Sequence, residues 1–179
     1  MKCFLCLGTN LGDRRRNLER ARRRLEAAGL EVLRASSVYR TEPVDWPGQP
    51  WFLNQVLKVE TSLGPQEVLE LAKSIEAEMK RVTTFEKGPR TIDIDILLAG
   101  DAVIDTPVLT IPHPRLAKRN FVLIPLVEIA SRAVHPVLRK TVRELARESP
   151  DHAAVFKQGS RRPGKDGHSV GARSRRKSS

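Results

Sequence analysis

Apolar and polar positions along the chain follow two rhythms, and the switches between them mark its elements. Residues 3–7, CFLCL, are a short apolar run closed by Gly8 and the turn-rich TNLGD, which predicts a strand and then a loop where Asp13 can cap a helix. Leu18, Ala21, Leu25 and Ala28 recur at helical spacing on one stripe, and Gly29 stops the helix. Arg14, Arg15, Arg16, Arg20 and the run Arg22 to Arg24 fill the other faces as a solvated surface. A second strand is predicted over Glu31 to Tyr39 and a third over Phe52 to Glu60, with the long loop TEPVDWPGQP between them as a candidate functional loop. Pro65 opens a second helix with the stripe Val68, Leu69, Ala72, Ile75 and Met79, and Lys80 and Arg81 suit its C-terminal end. After the loop VTTFEKGP, the segment Thr91 to Leu98 alternates as TIDIDILL, a strand with one apolar face.

The resulting order, β-α-β-β-α-β, predicts an α+β fold of the ferredoxin-like kind, an antiparallel sheet carrying both helices on one face because right-handed crossovers put them there. A short hairpin is expected around Asp101 to Leu109. One or two helices follow in PHPRLAKRNFVLIPLVEIA, and Thr141 to Arg147 forms a last short helix in this C-terminal helical extension. The net charge of +11 is uneven. From Lys157 to Ser179, eight Lys or Arg face Asp166 alone, which places +7 there and +4 on residues 1–156. The expected organisation is one folded domain over 1–156 and a disordered basic tail over 157–179, whose Gly, Ser, Arg and Lys content cannot bury a core. Cys3 and Cys6 form a C-x-x-C, but strand geometry sends positions i and i+3 to opposite faces, so two buried thiols are expected and not a metal site or disulfide. Reduced cysteines, the absence of an apolar run long enough for a signal peptide and of any ~20-residue apolar run predict a soluble cytoplasmic protein away from membranes.

The chemistry concentrates on Asp93 and Asp95. Two apart on a strand, both carboxylates leave the same face with Cα atoms about 6.6 Å apart, at ~3.3 Å per residue. Ile92, Ile94 and Ile96 face the other way, towards the helices. Like charges so placed repel unless cations neutralise them, and hard oxygen ligands without nearby His or Cys favour Mg²⁺. A D-x-D pattern alone is equally well an exposed strand face carrying incidental acids. Arg81 and Arg90 bracket the preceding loop, and His113 and Arg119 follow, so phosphate donors flank the pair. There is no G-x-x-x-x-G-K-[ST], and GTNLG is followed by Asp13, which excludes a P-loop; Gly8 and Gly12 are read as turn residues.

The stretches LGTNLGD, SSVYRTEPV, FLNQV, GPRTIDIDILL and IPHPRLAKRNFVLIPL resemble, in order and spacing, the 6-hydroxymethyl-7,8-dihydropterin pyrophosphokinases, from about Leu5 to about Ala146. The resemblance implies a ferredoxin-like fold, two Mg²⁺ with ATP, and diphosphoryl transfer to the pterin hydroxyl with AMP released. It implies that Asp93 and Asp95 hold the metal, that Arg81 and Arg90 are catalytic loop arginines, and that His113 and Arg119 touch the ATP phosphates. Glu76 and Ile96 would contact the nucleotide. Asn54 would read the pterin edge, Phe52 and Phe121 would be the plates of its slot, and Thr41, Pro43 and Val44 would line it. An amide offers both donor and acceptor to a flat heterocycle, and aromatic rings stack on its faces, so the physical reading agrees. Either phenylalanine is equally well a core residue. The resemblance departs in the loop from Val82 to Lys87. There Thr83 and Lys87 replace a second arginine and an aromatic, and Phe85 is the candidate substitute for the aromatic; Pro114 stands where some members have Tyr. The expected partners are ATP and hydroxymethyl-dihydropterin, with a monomeric enzyme and no specific nucleic acid. A basic ferredoxin-like domain also describes an RNA-binding module, but no strand carries the K/R-G-F/Y-G/A-F-V-x-F/Y pattern. A non-catalytic sensor of the same fold would have no use for both aspartates and both loop arginines.

Overall fold

The computed structural model describes residues 1–44, 48–80 and 88–159. Lys2–Thr9 forms β1, Arg14–Ala27 α1, Glu31–Ala35 β2, Tyr39–Thr41 β3, Phe52–Glu60 β4, Pro65–Glu78 α2 and Asp93–Ala99 β5. The main sheet is antiparallel in the order β5-β1-β4-β3-β8, where β8 is Val155–Lys157, and β2 also pairs with β4. This is the ferredoxin-like arrangement expected. The second predicted strand is broken in two. Ser36 turns its main-chain N–H to Val56 O and its hydroxyl accepts from Val56 N, so the chain kinks out of register before resuming as β3. The anticipated hairpin is the two-stranded sheet β6 (Ile104–Asp105) and β7 (Thr110–Ile111). After one 3₁₀ turn, Leu116–Lys118, come α3 (Asn120–Ala130) and α4 (Val142–Glu148), the latter capped by Thr141 and Glu144 in a capping box.

Two apolar layers sandwich the sheet. Cys3, Leu5, Leu7 and Ile92, Ile94, Ile96 pack with Leu18, Leu25, Val68 and Ile75 under α1 and α2. Cys6, Val56, Leu97 and Leu98 pack on the opposite face with Leu123, Leu126 and Leu145 of α3 and α4. The thiols of Cys3 and Cys6 therefore lie on opposite faces, both free and buried. The second face is thus covered over part of its area. The end near Gly8, Asn54, Asp93 and Asp95 is left to form a cavity.

Two corrections follow. Gly8 lies inside β1, opposite Asn54 and Asp93, and is no turn residue, whereas Gly12 has φ of 64° and does turn the chain. Val155–Lys157 forms an unforeseen strand, β8, that pairs with β3, so ordered structure crosses the expected boundary between 156 and 157. Residues 160–179 lie outside the described residues.

Candidate active site

The cavity, about 210 Å³, opens on the second face of the sheet between β5, β1, β4 and the start of α3. Its floor comes from three neighbouring strands, because Gly8 of β1 pairs with Asn54 of β4 on one side and with Asp93 of β5 on the other. A Cβ on Gly8 would stand 2.7 Å from Asn54 Oδ1, so the glycine is the space into which the amide fits. Asn54 is buried and donates through Nδ2 to Thr41 Oγ1 at 2.6 Å. Its carbonyl oxygen faces Gly8, and both Gly8 and Thr41 line the cavity. Phe52 and Phe121 both line the cavity, half-buried, from β4 and from the first turn of α3.

Asp93 and Asp95 share the floor at the β5 end, while Ile94 and Ile96 turn into the helix-side core. Burial, and then the Asp93 carboxylate, push Asp95 up to about 7, with Arg90 opposing. Arg90 Nη1 lies 3.2 Å from Asp93 Oδ2, and its guanidinium carbon is 5.4 Å from the Phe52 ring centroid. Arg90 Nε is buried and, among the described residues, has no hydrogen-bond partner, an orphaned donor beside the acidic pair. His113 is tied by its N–H to Leu97 O, and its Nδ1 accepts from Arg115 N at 3.2 Å, which puts the ring proton on Nε2. Burial and then Arg115 lower its pKa, so the ring is a neutral donor near pH 7. Arg119, extended at the N-terminus of α3, also lines the cavity.

Of the residues expected from the sequence, Thr41, Val44, Phe52, Asn54, Arg90, Asp93, Asp95, His113, Arg119 and Phe121 line this one cavity. Three do not. Pro43 stands off it. Glu76 is buried in α2, where its Oε1 accepts from Ile94 N at 2.8 Å and so fastens the free edge of β5. Ile96 buries its side chain in the helix-side core, and only its main chain lies on the edge strand. Arg81, and with it the loop 82–87, lies outside the described residues.

Sequence reasoning missed several residues. Lys73 reaches the cavity from α2, and Gln49 and Arg115 line its walls. Lys73 was findable from its spacing of three to Glu76 on the helix face turned to β5. Asn10 is buried: its Oδ1 accepts from Arg90 N at 2.8 Å, while Nδ2 donates to Gln49 Oε1 and Pro50 O, both at 3.1 Å. One amide thus joins the arginine to the loop on the far wall. Nothing local in TNLGD signals this.

The donor set suits a hard divalent ion. Two crowded carboxylates need a cation, and no group of three or more His, Cys, Asp or Glu among the described residues could enclose one. Such an ion must complete its shell with water and phosphate, as Mg²⁺ does.

Comparison with known proteins then decides the family. The sequence model for 7,8-dihydro-6-hydroxymethylpterin-pyrophosphokinase matches residues 4–131. The chain belongs to this pyrophosphokinase family. The 2-amino-4-hydroxy-6-hydroxymethyldihydropteridine pyrophosphokinase of Aquifex aeolicus is 45% identical over 146 residues, covering 82% of this chain and 91% of that protein. The protein of the same name from Bacillus subtilis is 44% identical over 130 residues, covering 72% and 78%. Folic acid synthesis protein fol1 of Pneumocystis carinii is 40% identical over 149 residues; 83% of this chain is covered, but the match spans only 20% of that longer protein. A crystal structure of a Plasmodium falciparum HPPK-DHPS variant superimposes with a TM-score of 0.67 at 19% identity, over 82% of this chain and 45% of that one, a likeness of fold. Membership in the pyrophosphokinase family removes the RNA-binding alternative, which no comparison supports.

Proposed function

We propose that this member of the pyrophosphokinase family transfers diphosphate from ATP to the hydroxymethyl group of 6-hydroxymethyl-7,8-dihydropterin, releasing AMP, in folate biosynthesis. The observation that carries the reading is the adjacency of two half-sites in one cavity, two phenylalanine rings with a buried amide and an acidic pair flanked by cationic donors. Asn54 and Thr41 present an acceptor and a hydroxyl to the pterin edge, and Phe52 and Phe121 hold its faces. In that orientation the hydroxymethyl arm would run along Gly8, which among the described lining residues is the one without a side chain, towards Asp93 and Asp95.

Asp93 and Asp95 would hold two Mg²⁺ ions, which would supply the positive charge that neutralises the phosphates and stabilises the attacking and leaving oxygens of an in-line displacement. In the transfer, the pterin hydroxyl oxygen bonds to the β-phosphorus, the bond from that phosphorus to the oxygen of AMP breaks, and the hydroxyl proton leaves to water. Arg90 offers its unpartnered Nε–H and its guanidinium to the migrating group, and His113 and Arg119 donate to the remaining oxygens. Arg81 would join them. No described helix is long and apolar enough to cross a membrane, and two free buried thiols suit the cytoplasm. The test is ³¹P NMR of the chain with ATP, Mg²⁺ and the pterin alcohol. AMP and a pterin diphosphate in equal amounts are expected; ADP with a pterin monophosphate, or no turnover, would refute the assignment.

A further inference from the structure

We propose that β8 is a brace for the pterin side of the cavity, with Phe156 as its positioning residue. β8 lies beyond the residues 4–131 that carry the family match. It pairs with β3 through Tyr39↔Lys157, Arg40↔Phe156 and Thr41↔Val155. The contact continues past the strand: Glu42 N donates to Ala154 O at 3.0 Å, and Ala154 N returns a bond to Glu42 Oε2 at 3.2 Å. Residues 39–41 are therefore held from both sides, by β4 and by β8, and Glu42 is held from the β8 side. On that ladder Thr41 accepts from Asn54, and Thr41 and Glu42 line the cavity.

Phe156 is 57% exposed, so burial in the core is not its purpose. Its ring lies against Trp51, with centroids 6.0 Å apart and planes 16° from parallel. Arg40 sits over the same indole, 4.5 Å from its centroid, and Arg14 donates to the Trp51 carbonyl. Trp51 directly precedes Phe52, one plate of the slot. β8 thus grips the segment between β3 and β4 at both ends, Glu42 at its start and Trp51 at its close. A three-residue strand such as β3 would otherwise be a short edge with an unpaired main chain, the kind of element that opens locally at little cost. The ATP end of the cavity is on β5, at the opposite edge of the sheet from β8, and is joined to this segment through Asn10, which bonds Arg90 on one side and Gln49 and Pro50 on the other.

The inference rests on the assignment of Thr41 and Asn54 to the pterin side. It is tested in the full chain with Phe156→Ala and the conservative Phe156→Tyr, titrating hydroxymethyl-dihydropterin and, separately, Mg²⁺ with a non-hydrolysable ATP analogue by calorimetry. Phe156→Ala should weaken pterin binding about three- to tenfold, the worth of one aromatic pair, and leave the nucleotide constant within about twofold. Phe156→Tyr should restore pterin binding. The Glu42 amide should exchange with solvent about tenfold faster in the alanine variant than in the original chain. Equal weakening of both ligands, or unchanged pterin binding and exchange, would overturn the brace while leaving the enzyme assignment intact. Failure of the unchanged chain to bind the pterin would overturn both.

Discussion

Gly8→Ala offers a quantitative perturbation of the slot. Gly8 has no positive φ, so its backbone would accept any residue, and the constraint is purely spatial. The new Cβ would sit 2.7 Å from Asn54 Oδ1, inside contact distance. Asn54 is 3% exposed and held to Thr41 at 2.6 Å, so relief requires the amide to rotate and to leave that bond. Losing a buried neutral hydrogen bond costs about 1–3 kcal/mol, of which about 0.5–1 is offset by removing a glycine from a strand. A net loss of about 1 kcal/mol lowers Tm by about 2–4 °C in a domain of this size. The displaced amide also loses its hold on the pterin edge, about 2 kcal/mol for two neutral bonds, or about thirtyfold in Kd. Calorimetry should show that loss for hydroxymethyl-dihydropterin and less than twofold for the ATP analogue. Unchanged pterin affinity in a folded Gly8→Ala chain would refute the claim that Asn54 reads the pterin.

Arg90→Ala should lower kcat by about two orders of magnitude or more while changing ATP affinity far less, since the donor it removes is unpartnered before reaction; equal losses in kcat and binding would assign the arginine to the ground state. Glu128 accepts from Ser37 N, Ser37 Oγ and Tyr39 Oη, joining α3 to β3. Burial works to raise its pKa, but hydrogen bonds from Ser37 and Tyr39 outweigh it and hold the carboxyl below its ordinary 4.5. Its contribution is therefore complete above that value and lost as pH falls through the lower folded one. Glu128→Gln should melt below the original chain at pH 7, with the gap closing as pH falls below 4.5 and through the lower folded value; a constant gap would contradict the charge-based account. Ending the chain at Gly159 keeps β8 and should leave Tm and kcat unchanged, and a loss of activity would show that residues 160–179 reach the site.

The features legible in the sequence were those set by local geometry. Period-2 spacing alone places Asp93 and Asp95 on one face and Ile94 and Ile96 on the other, and the structure has them so. The two long helices carry their own stripes and stops, Gly29 with φ of 91° among them. What escaped depends on partners far along the chain. The break between β2 and β3 exists because Ser36 bonds to Val56, and β8 exists because Glu42 and Ala154, 112 positions apart, exchange bonds. A three-residue VFK with an exposed ring carries no periodic signal. Asn10 reads as a turn residue until Arg90, 80 positions later, meets it. Glu76, assigned to the nucleotide from resemblance, has its carboxylate turned under the edge of β5, an orientation that helix spacing cannot reveal.

The central claim is that the two carboxylates act together in diphosphoryl transfer. Asp93→Asn and Asp95→Asn keep side-chain shape and remove one charge each, so both variants should stay folded. Single-turnover AMP release, with Mg²⁺, ATP and hydroxymethyl-dihydropterin saturating, measures the pair directly. Each variant is expected to fall by orders of magnitude while its melting temperature holds or rises. Near-normal AMP release from either folded variant would contradict the account.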